Sequence, residues 1–446
     1  MRERLSKFVF LSLAFLSMVL NLEMPANSDL PLLVHKDDYA GYNDCWGYTA
    51  PDGREYALLG TDDGTSIIDI TAAEQGIATE IAFIPGASSG WRDIKTYRHY
   101  AYVVNENSGG IHIIDLSALP DTAALVATYT PLSASHNIFI DEQNGILYAE
   151  GTFSEPVWVL SLNDPLNPEL LTTFGIACHD VYAHNNIAYI SEGGNGSFGI
   201  YDVSDPGQPQ LLQRLEIPSA GYCHNAWATS DGRFLMTTEE TSGKSVKLWD
   251  ISDLDNIVLR STFLAANQLA HNVHIKRNYA YISHYESGLK VADISVPTII
   301  LRVGQFDTPD AWGTYPYFSS GKVLISDIVS GLYVVYFEGA VDAVTAIEDT
   351  PQTPESFSVK PNYPNPFNPS TTIEYSLIER ATVRLEIFSA AGQKVRTLQN
   401  STQQPGNYKL VWDGRNDSGQ MVSSGTYFYR VTAGSFSKMF KMTFVR

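Results

Sequence analysis

Five segments of the chain repeat one short pattern: Gly64–Thr71 (GTSIIDIT), Gly110–Ser117 (GIHIIDLS), Phe198–Ser204 (FGIYDVS), Val246–Ser252 (VKLWDIS) and Gly288–Ser295 (GLKVADIS). Each is an alternating strand ending in Asp (Asp69, Asp115, Asp202, Asp250, Asp293), followed by an apolar residue and then Ser or Thr. Pro156–Leu162 and Gly331–Phe337 are weaker copies in the two remaining places, and successive copies lie 41–48 residues apart. Each unit reads as four short strands: one starting at His or Trp (His271–Ile275), a tyrosine-rich one (Tyr279–Ser283), the Asp-ended one, and a fourth after a Pro-containing turn (Gln210–Leu215). Four antiparallel strands in about 40–50 residues make one propeller blade, and such a unit buries its faces only against neighbours. The chain is therefore expected to be all-β, a seven-bladed β-propeller followed by a small Ig-like β-sandwich. The Asp-x-Ser/Thr step is read as a side-chain-capped turn.

The seventh unit has strands at Trp312, Lys322–Ser326 and Leu332–Tyr336 but no fourth strand of its own. Asp29–Val34 (DLPLLV) resembles the fourth strands Pro209–Leu212 and Asn256–Leu259. Pairing the two ends of the repeat region would close the ring and remove its open edges. The repeats resemble LVIVD-repeat propellers, a family often labelled choice-of-anchor B, over roughly residues 30–340. That resemblance implies export from the cytoplasm and a propeller, and it implies no reaction.

Targeting signals agree with export. Arg2, Arg4 and Lys7 precede the mostly apolar run Phe8–Leu20 and then Pro25-Ala26-Asn27-Ser28, which is the layout of a secretory signal over residues 1–28. The run is short of the roughly 20 residues a membrane span needs, so the mature protein is expected to have no transmembrane span. With 29 basic and 49 acidic side chains the formal net charge is −20, which repels phosphate and argues against a nucleic-acid partner. The expected domains are a signal peptide (1–28), the propeller (29–341), a Pro-rich linker (342–361) and the sandwich (362–446).

The C-terminal region alternates in period two over Thr371–Leu377, Thr382–Phe388, Tyr408–Trp412, Tyr427–Val431 and Lys438–Val445, with turns between. Before it, four prolines within Pro361–Pro369 suggest an extended spacer. The run Asn362-Tyr363-Pro364-Asn365-Pro366-Phe367-Asn368-Pro369, with Val395–Leu398 and Gly425–Val431, is similar to type A sorting domains of the type IX secretion system, which have the Ig-like fold of flagellar hook-capping proteins. The resemblance implies the type IX export machinery as a partner and an extracellular or outer-membrane location in a Gram-negative-type bacterium.

Aligning the repeats places Trp46, Arg92 (after Trp91), His136, His179, His224, His271 and Trp312 at the start of the seven innermost strands. Asn or Asp follows each His: Asn137, Asp180, Asn225 and Asn272. Asn105, Glu192, Glu239, His284 and Asp327 end the second strands, on the same face of a propeller, with Glu150 one residue out of register. Imidazoles backed by carboxylates suit a transition metal such as Zn, Cu or Fe. His136, His179, His224, His271 and His284 are thus candidate metal ligands; Trp46, Trp91, Arg92, Trp312, Glu192, Glu239 and Asp327 are candidate ligand-binding residues. The competing reading is that each His ties neighbouring blades together. His274, three residues after His271, is expected to pack on the opposite face. Cys178 and Cys223 are read as buried thiols, a disulfide between them or a role as soft ligands being the alternatives. No G-x-S-x-G nucleophile elbow between a strand and a helix occurs, nor an H-E-x-x-H or a P-loop, and no catalytic residue is assigned. The first reading is an exported, cell-surface propeller that binds a ligand or partner. The second is an extracytoplasmic metalloenzyme built on the His136/His179/His224/His271 arc, and a third is a polysaccharide-binding protein using the tryptophans.

Overall fold

The computed structural model describes residues 29–342 apart from 151–155, 177 and 265–268, and, further on, residues 358–359, 362, 365–377, 381–390, 392–403, 406–418, 420–433 and 436–445. The expected signal sequence and most of the expected linker lie outside the described residues. The chain divides into two compact units, Met1–Ala343 and Val344–Arg446. Among the described residues no helix is long and apolar enough to cross a membrane.

The first unit is seven four-stranded antiparallel sheets, each one blade. The innermost strands are Tyr42–Thr49 in blade 1, Ile94–Tyr97 in blade 2, Ile138–Asp141 in blade 3, Asp180–His184 in blade 4, Cys223–Ala228 in blade 5, Val273–Lys276 in blade 6 and Ala311–Tyr315 in blade 7. Each blade packs against the next, and blade 7 packs against blade 1, so the inner strands surround a closed central channel. The core lies between blades, where β-branched and aromatic residues from facing sheets interdigitate; Tyr56, Leu58, Ile67, Ile94 and Val103 form one such layer.

The repeated Asp does what a capped turn requires. Its Oδ1 accepts the backbone N–H two residues on, at 2.8 Å from Thr71 to Asp69, Ser117 to Asp115, Ser204 to Asp202 and Ser295 to Asp293, and at 3.1 Å from Ser252 to Asp250. The third strand therefore ends at the same place in each of these blades, which fixes the register of the fourth.

Closure joins the two ends of the ring. Blade 7 takes its outer strand from Leu32–Lys36, antiparallel to Gly331–Tyr336, with Leu32 opposite Val335 and Lys36 opposite Leu332. The strand begins three residues later than Asp29–Val34 suggests; Asp29 instead bridges to Gln305 in blade 6.

The second unit has one sheet of Ser358–Val359, Thr371–Leu377 and Gly406–Trp412, and another of Lys394–Gln403, Ala381–Ser389, Gly425–Ala433 and Phe436–Phe444. Trp412, Tyr429, Ile373, Val383 and Phe444 fill the space between them. Two features differ from expectation. Lys394–Gln403 is a strand, although the second half of it is polar and half-exposed, because it lies at the sheet edge. Phe367, within the proline-rich run, is buried in this core and pairs its backbone with Thr443 and Val445 at 3.0 Å. That part of the run is packed structure, not spacer.

Candidate functional site: three rings along the channel

The inner strands enter the channel through a bulge, seen as a register shift between Tyr42 and Cys45, Cys223 and Asn225, and Ala311 and Gly313. A bulge turns two successive residues to the same side. Positions n, n+1 and n+3 of the inner strands therefore face the channel and stack as three rings, with Trp91 standing in the upper ring beside Arg92 in blade 2 and Gly313 taking the middle position in blade 7.

The upper ring closes on itself. Trp91 stacks on Trp312 with centroids 4.6 Å apart, Trp312 lies 3.8 Å from His271, His271 4.2 Å from His224, His224 4.1 Å from His179, His179 4.7 Å from His136, and His136 6.3 Å from Trp91. His179 and His271 each point Nδ1 at the carbonyl of the next blade, at 3.2 Å to His224 O and 2.8 Å to Trp312 O. That contact holds the proton on Nδ1 and leaves the Nε2 lone pair free. Nε2 of His224 and of His271 has no hydrogen-bond partner. Burial, reinforced by neighbouring imidazoles, holds His179 and His224 well below the ordinary histidine value. Burial likewise pushes His271 down to about 3. These rings are neutral at pH 7, the form that donates a lone pair to a metal.

The middle ring ties the blades together. It comprises Asp44, Asp93, Asn137, Asp180, Asn225, Asn272 and Gly313. Asp44, Asp93 and Asp180 each accept the next backbone N–H of their own bulge at 2.6–2.7 Å. Asp93 also reaches blade 3, accepting from Ile138 N at 2.8 Å; Asn225 donates to Asp180 and accepts from Val273 N at 3.0 Å. Gly313 completes the ring because a Cβ there would lie 1.7 Å from Asp44 Oδ1. The blade-tying role considered for the histidines is met by His179 and His271 through their Nδ1 contacts and is shared with the residues after them.

Asp93 also holds the buried ammonium of Lys95 at 2.5 Å. Asp93→Ala would strand that charge and the Ile94 N–H and cut the tie to Ile138 N, so a loss of about 3–5 kcal/mol in urea-unfolding stability is expected; a loss below about 1 kcal/mol would refute the tie.

The lower ring is Trp46, Lys95, Phe139, Tyr182, Trp227, His274 and Tyr315. Trp46 was expected beside Trp91 and Trp312, but it sits here, 5.0 Å from Tyr315 and 6.0 Å from His274. Asn43 takes the upper position in blade 1 and donates to Gly90 O at 2.8 Å. His274, expected on the opposite face from His271, points into the channel because of the bulge; its ring is 4.4 Å from Trp227.

Several other expected site residues are spent on contacts within or between blades. Glu192 is buried in its blade, held by Arg214 at 2.7 and 2.8 Å and by Ser197. Glu239 is paired with Lys247 and Gly221 N. Asp327 caps Val329 and Ser330. His284 lies 6.2 Å from Phe263 in the body of blade 6. Arg92 spends its guanidinium on the carbonyls of Thr61 at 3.1 Å and Ala87 at 2.7 Å. All three cysteines are free and buried, so Cys178 and Cys223 form no disulfide.

The acids that do reach the mouth follow one residue later: Glu106 after Asn105 and Glu240 after Glu239. His136 Nδ1 pairs with Glu106 at 2.5 Å, and His224 Nε2 lies 3.5 Å from Glu240. Tyr285, after His284, donates to Glu240. Together with Tyr222, Trp91, Trp312 and the imidazoles of His136, His179 and His224 they line a cavity of about 430 Å³. Beside it one ligand atom each of His224, Glu240 and His271 lies within 4.8 Å of the others. Two imidazoles and a carboxylate with room beside them match the three-ligand open sites of zinc, whose donor atoms stand about 3.4 Å apart, so binding would draw the three together by about an ångström.

The buried imidazoles also set a pH dependence. Their folded values lie below the ordinary 6.5, so the unfolded chain takes up their protons first as pH falls. The stability they contribute is complete above 6.5 and drains away towards about 3. Over that window, in metal-free buffer, the melting temperature of a His224→Gln/His271→Gln chain is expected to fall less steeply than that of the unaltered protein; parallel curves would contradict the assignment.

Comparison with known proteins agrees with the fold. The chain matches the LVIVD repeat over residues 91–129, 175–216 and 269–308, which are blades 2, 4 and 6, and the FlgD Ig-like domain over residues 368–436. It thus carries LVIVD repeats and a C-terminal FlgD Ig-like domain. Among solved structures it is similar to hydrazine synthase of Kuenenia stuttgartiensis, with a TM-score of 0.52 and 12% identity over 68% of this chain and 97% of that one. At that identity the likeness shows the fold alone. PorZ of Porphyromonas gingivalis, described as an essential bacterial surface component of the type-IX secretion system, aligns with a TM-score of 0.47 and 13% identity over 95% of this chain and 61% of that one. The computationally designed Ika8 protein aligns with a TM-score of 0.46 and 13% identity over 69% of this chain and all of its own. No curated protein matches the sequence.

Proposed function

We propose that this chain is an exported, ligand-binding propeller that holds one transition metal ion at the upper mouth of its channel, between His224, His271 and Glu240. The carrying observation is the convergence of two neutral imidazoles and a carboxylate, one ligand atom of each within 4.8 Å of the others and Nε2 of His224 3.5 Å from Glu240, beside a cavity of about 430 Å³. The ion would have three protein ligands and a position open to a ligand from solution. Tyr285 would orient Glu240, and the carbonyl of Trp312 would orient His271, the kind of outer support that metal ligands need.

Export and delivery belong to the same proposal. The basic and apolar start of the chain supports secretion, and the FlgD Ig-like domain, with its similarity to type A sorting domains, supports delivery by the type IX machinery to the cell surface. The LVIVD repeats support placement with the choice-of-anchor B proteins.

Metal content of the purified protein, by elemental mass spectrometry after reconstitution and dialysis, tests the central claim. One ion per chain, absent from a folded His224→Ala/His271→Ala/Glu240→Ala chain, is expected. No retained ion in the unaltered protein would sink it.

A further inference from the structure

The opposite mouth of the channel opens into a second cavity, of about 400 Å³, that the metal reading leaves unused. Its walls are aromatic: Trp46, Phe139, Tyr182, Trp227, Tyr315 and Tyr317. Trp227 lies 4.1 Å from Tyr182 and stacks on Tyr317 at 6.0 Å, while Trp46 meets Tyr315 at 5.0 Å. This is a layered wall of flat faces of a size common to small-molecule sites, which run to roughly 300–1,000 Å³. Six polar side chains, Lys95, Thr96, Asp141, Glu142, Gln143 and His184, also line it, with charges of both signs. Lys95 stands on the wall with its ammonium 4.5 Å over the Trp46 ring. Asp141 caps its own turn through Gln143 N and Asn144, which presents Glu142 and Gln143, both exposed, at the rim.

We propose that this mouth is a carbohydrate-binding pocket that takes a neutral pyranose, its apolar face against the tryptophan and tyrosine rings. The charge pattern decides between ligand classes. An organic cation would find the Trp46 face already covered by the Lys95 ammonium. An anion would meet Asp141 and Glu142 at the rim. A neutral polyol is repelled by neither. Its hydroxyls both donate and accept, so they satisfy the Glu142 carboxylate, the Gln143 amide and the tyrosine hydroxyls, while its C–H face covers aromatic surface that would otherwise stay wet. The site lies three residues along each inner strand from the upper ring and shares no proposed ligand with the metal.

The test is titration of the full chain, followed by calorimetry and tryptophan fluorescence, with methyl glucoside, methyl galactoside, methyl mannoside, N-acetylglucosamine and cellobiose. Choline and benzoate serve as cationic and anionic comparators. Saturable binding of at least one sugar is expected, weakened about tenfold or more by Trp227→Ala and by the exposed pair Glu142→Ala/Gln143→Ala, and unchanged by His224→Ala/His271→Ala. Should Trp227→Ala fail to fold, the rim pair decides. Absence of sugar binding, saturation by choline or benzoate in its place, or sugar binding unaffected by the rim pair would overturn the proposal.

Discussion

Replacing His271 or His224 with alanine is expected to lower the affinity for Zn²⁺ by roughly 100-fold or more, since even the outer partners of metal ligands are worth about 10–100-fold. Glu240→Ala should do the same. His136→Ala and His179→Ala should each cost less than tenfold. The four imidazoles stand side by side around the channel, but they are not equivalent. His136 gives its Nδ1 to Glu106 at 2.5 Å, and His179 is not part of the group whose donor atoms lie within 4.8 Å. Competition against a chromophoric zinc chelator measures each variant, and circular dichroism confirms that it folds. Equal losses at all four histidines with no loss at Glu240 would point to a four-imidazole site and refute the ligand set argued here. Because neutral imidazoles are required, affinity should also fall as the pH drops towards the value of about 3 to which burial pushes His271.

The blades were legible because their signals are local. Alternation sets the strands, and each Asp-x-Ser/Thr cap, such as Asp69 on Thr71 N at 2.8 Å, marks where a strand ends. The four histidines were legible for the same reason, each being followed by the Asn or Asp that serves its bulge. The acids were missed by one residue, and in a strand one residue is a change of face. Glu192, Glu239 and Asp327 turn into their blades, so Glu106, Glu240 and Tyr285 reach the mouth. Trp46 was misplaced because a tryptophan near a strand start resembled Trp91 and Trp312. Asp44 carried the better signal: aligned with Asp93, Asn137 and Asp180, it puts Asn43 in the upper ring and Trp46 three residues below. The same bulge defeats the simple period-two rule for His274, and so the aromatic lower ring had no sequence signature of its own.

Removing residues 29–36 is expected to abolish folding of the propeller, while Leu30→Ala costs about 2–5 kcal/mol and leaves it folded. The segment does three things at once. Leu30 is buried against Tyr281, Val291 and Val335, which joins blade 6 to blade 7. Its backbone donates to Gln305 O at 2.8 Å, and Pro31 O accepts from Tyr336 N at 2.9 Å. Leu32–Lys36 then covers the edge of Gly331–Tyr336, with His35 stacked 4.0 Å from Tyr333. At the end of that pair the strands approach so closely that a Cβ on Gly331, whose φ is +90°, would lie 2.1 Å from Lys36 O. Without the segment, Leu332 and Val334 lose the strand beside them and a row of backbone donors and acceptors is left open. Marginal domain stabilities of about 5–15 kcal/mol do not survive such a loss, and the open edge invites aggregation. A synthetic peptide of residues 29–40 added in trans should restore the fold by strand addition, and the same peptide with Leu30, Leu32 and Val34 changed to Asp should not. A truncated chain that melts cooperatively near the temperature of the intact one, with no peptide present, would show that the ring closes without this strand.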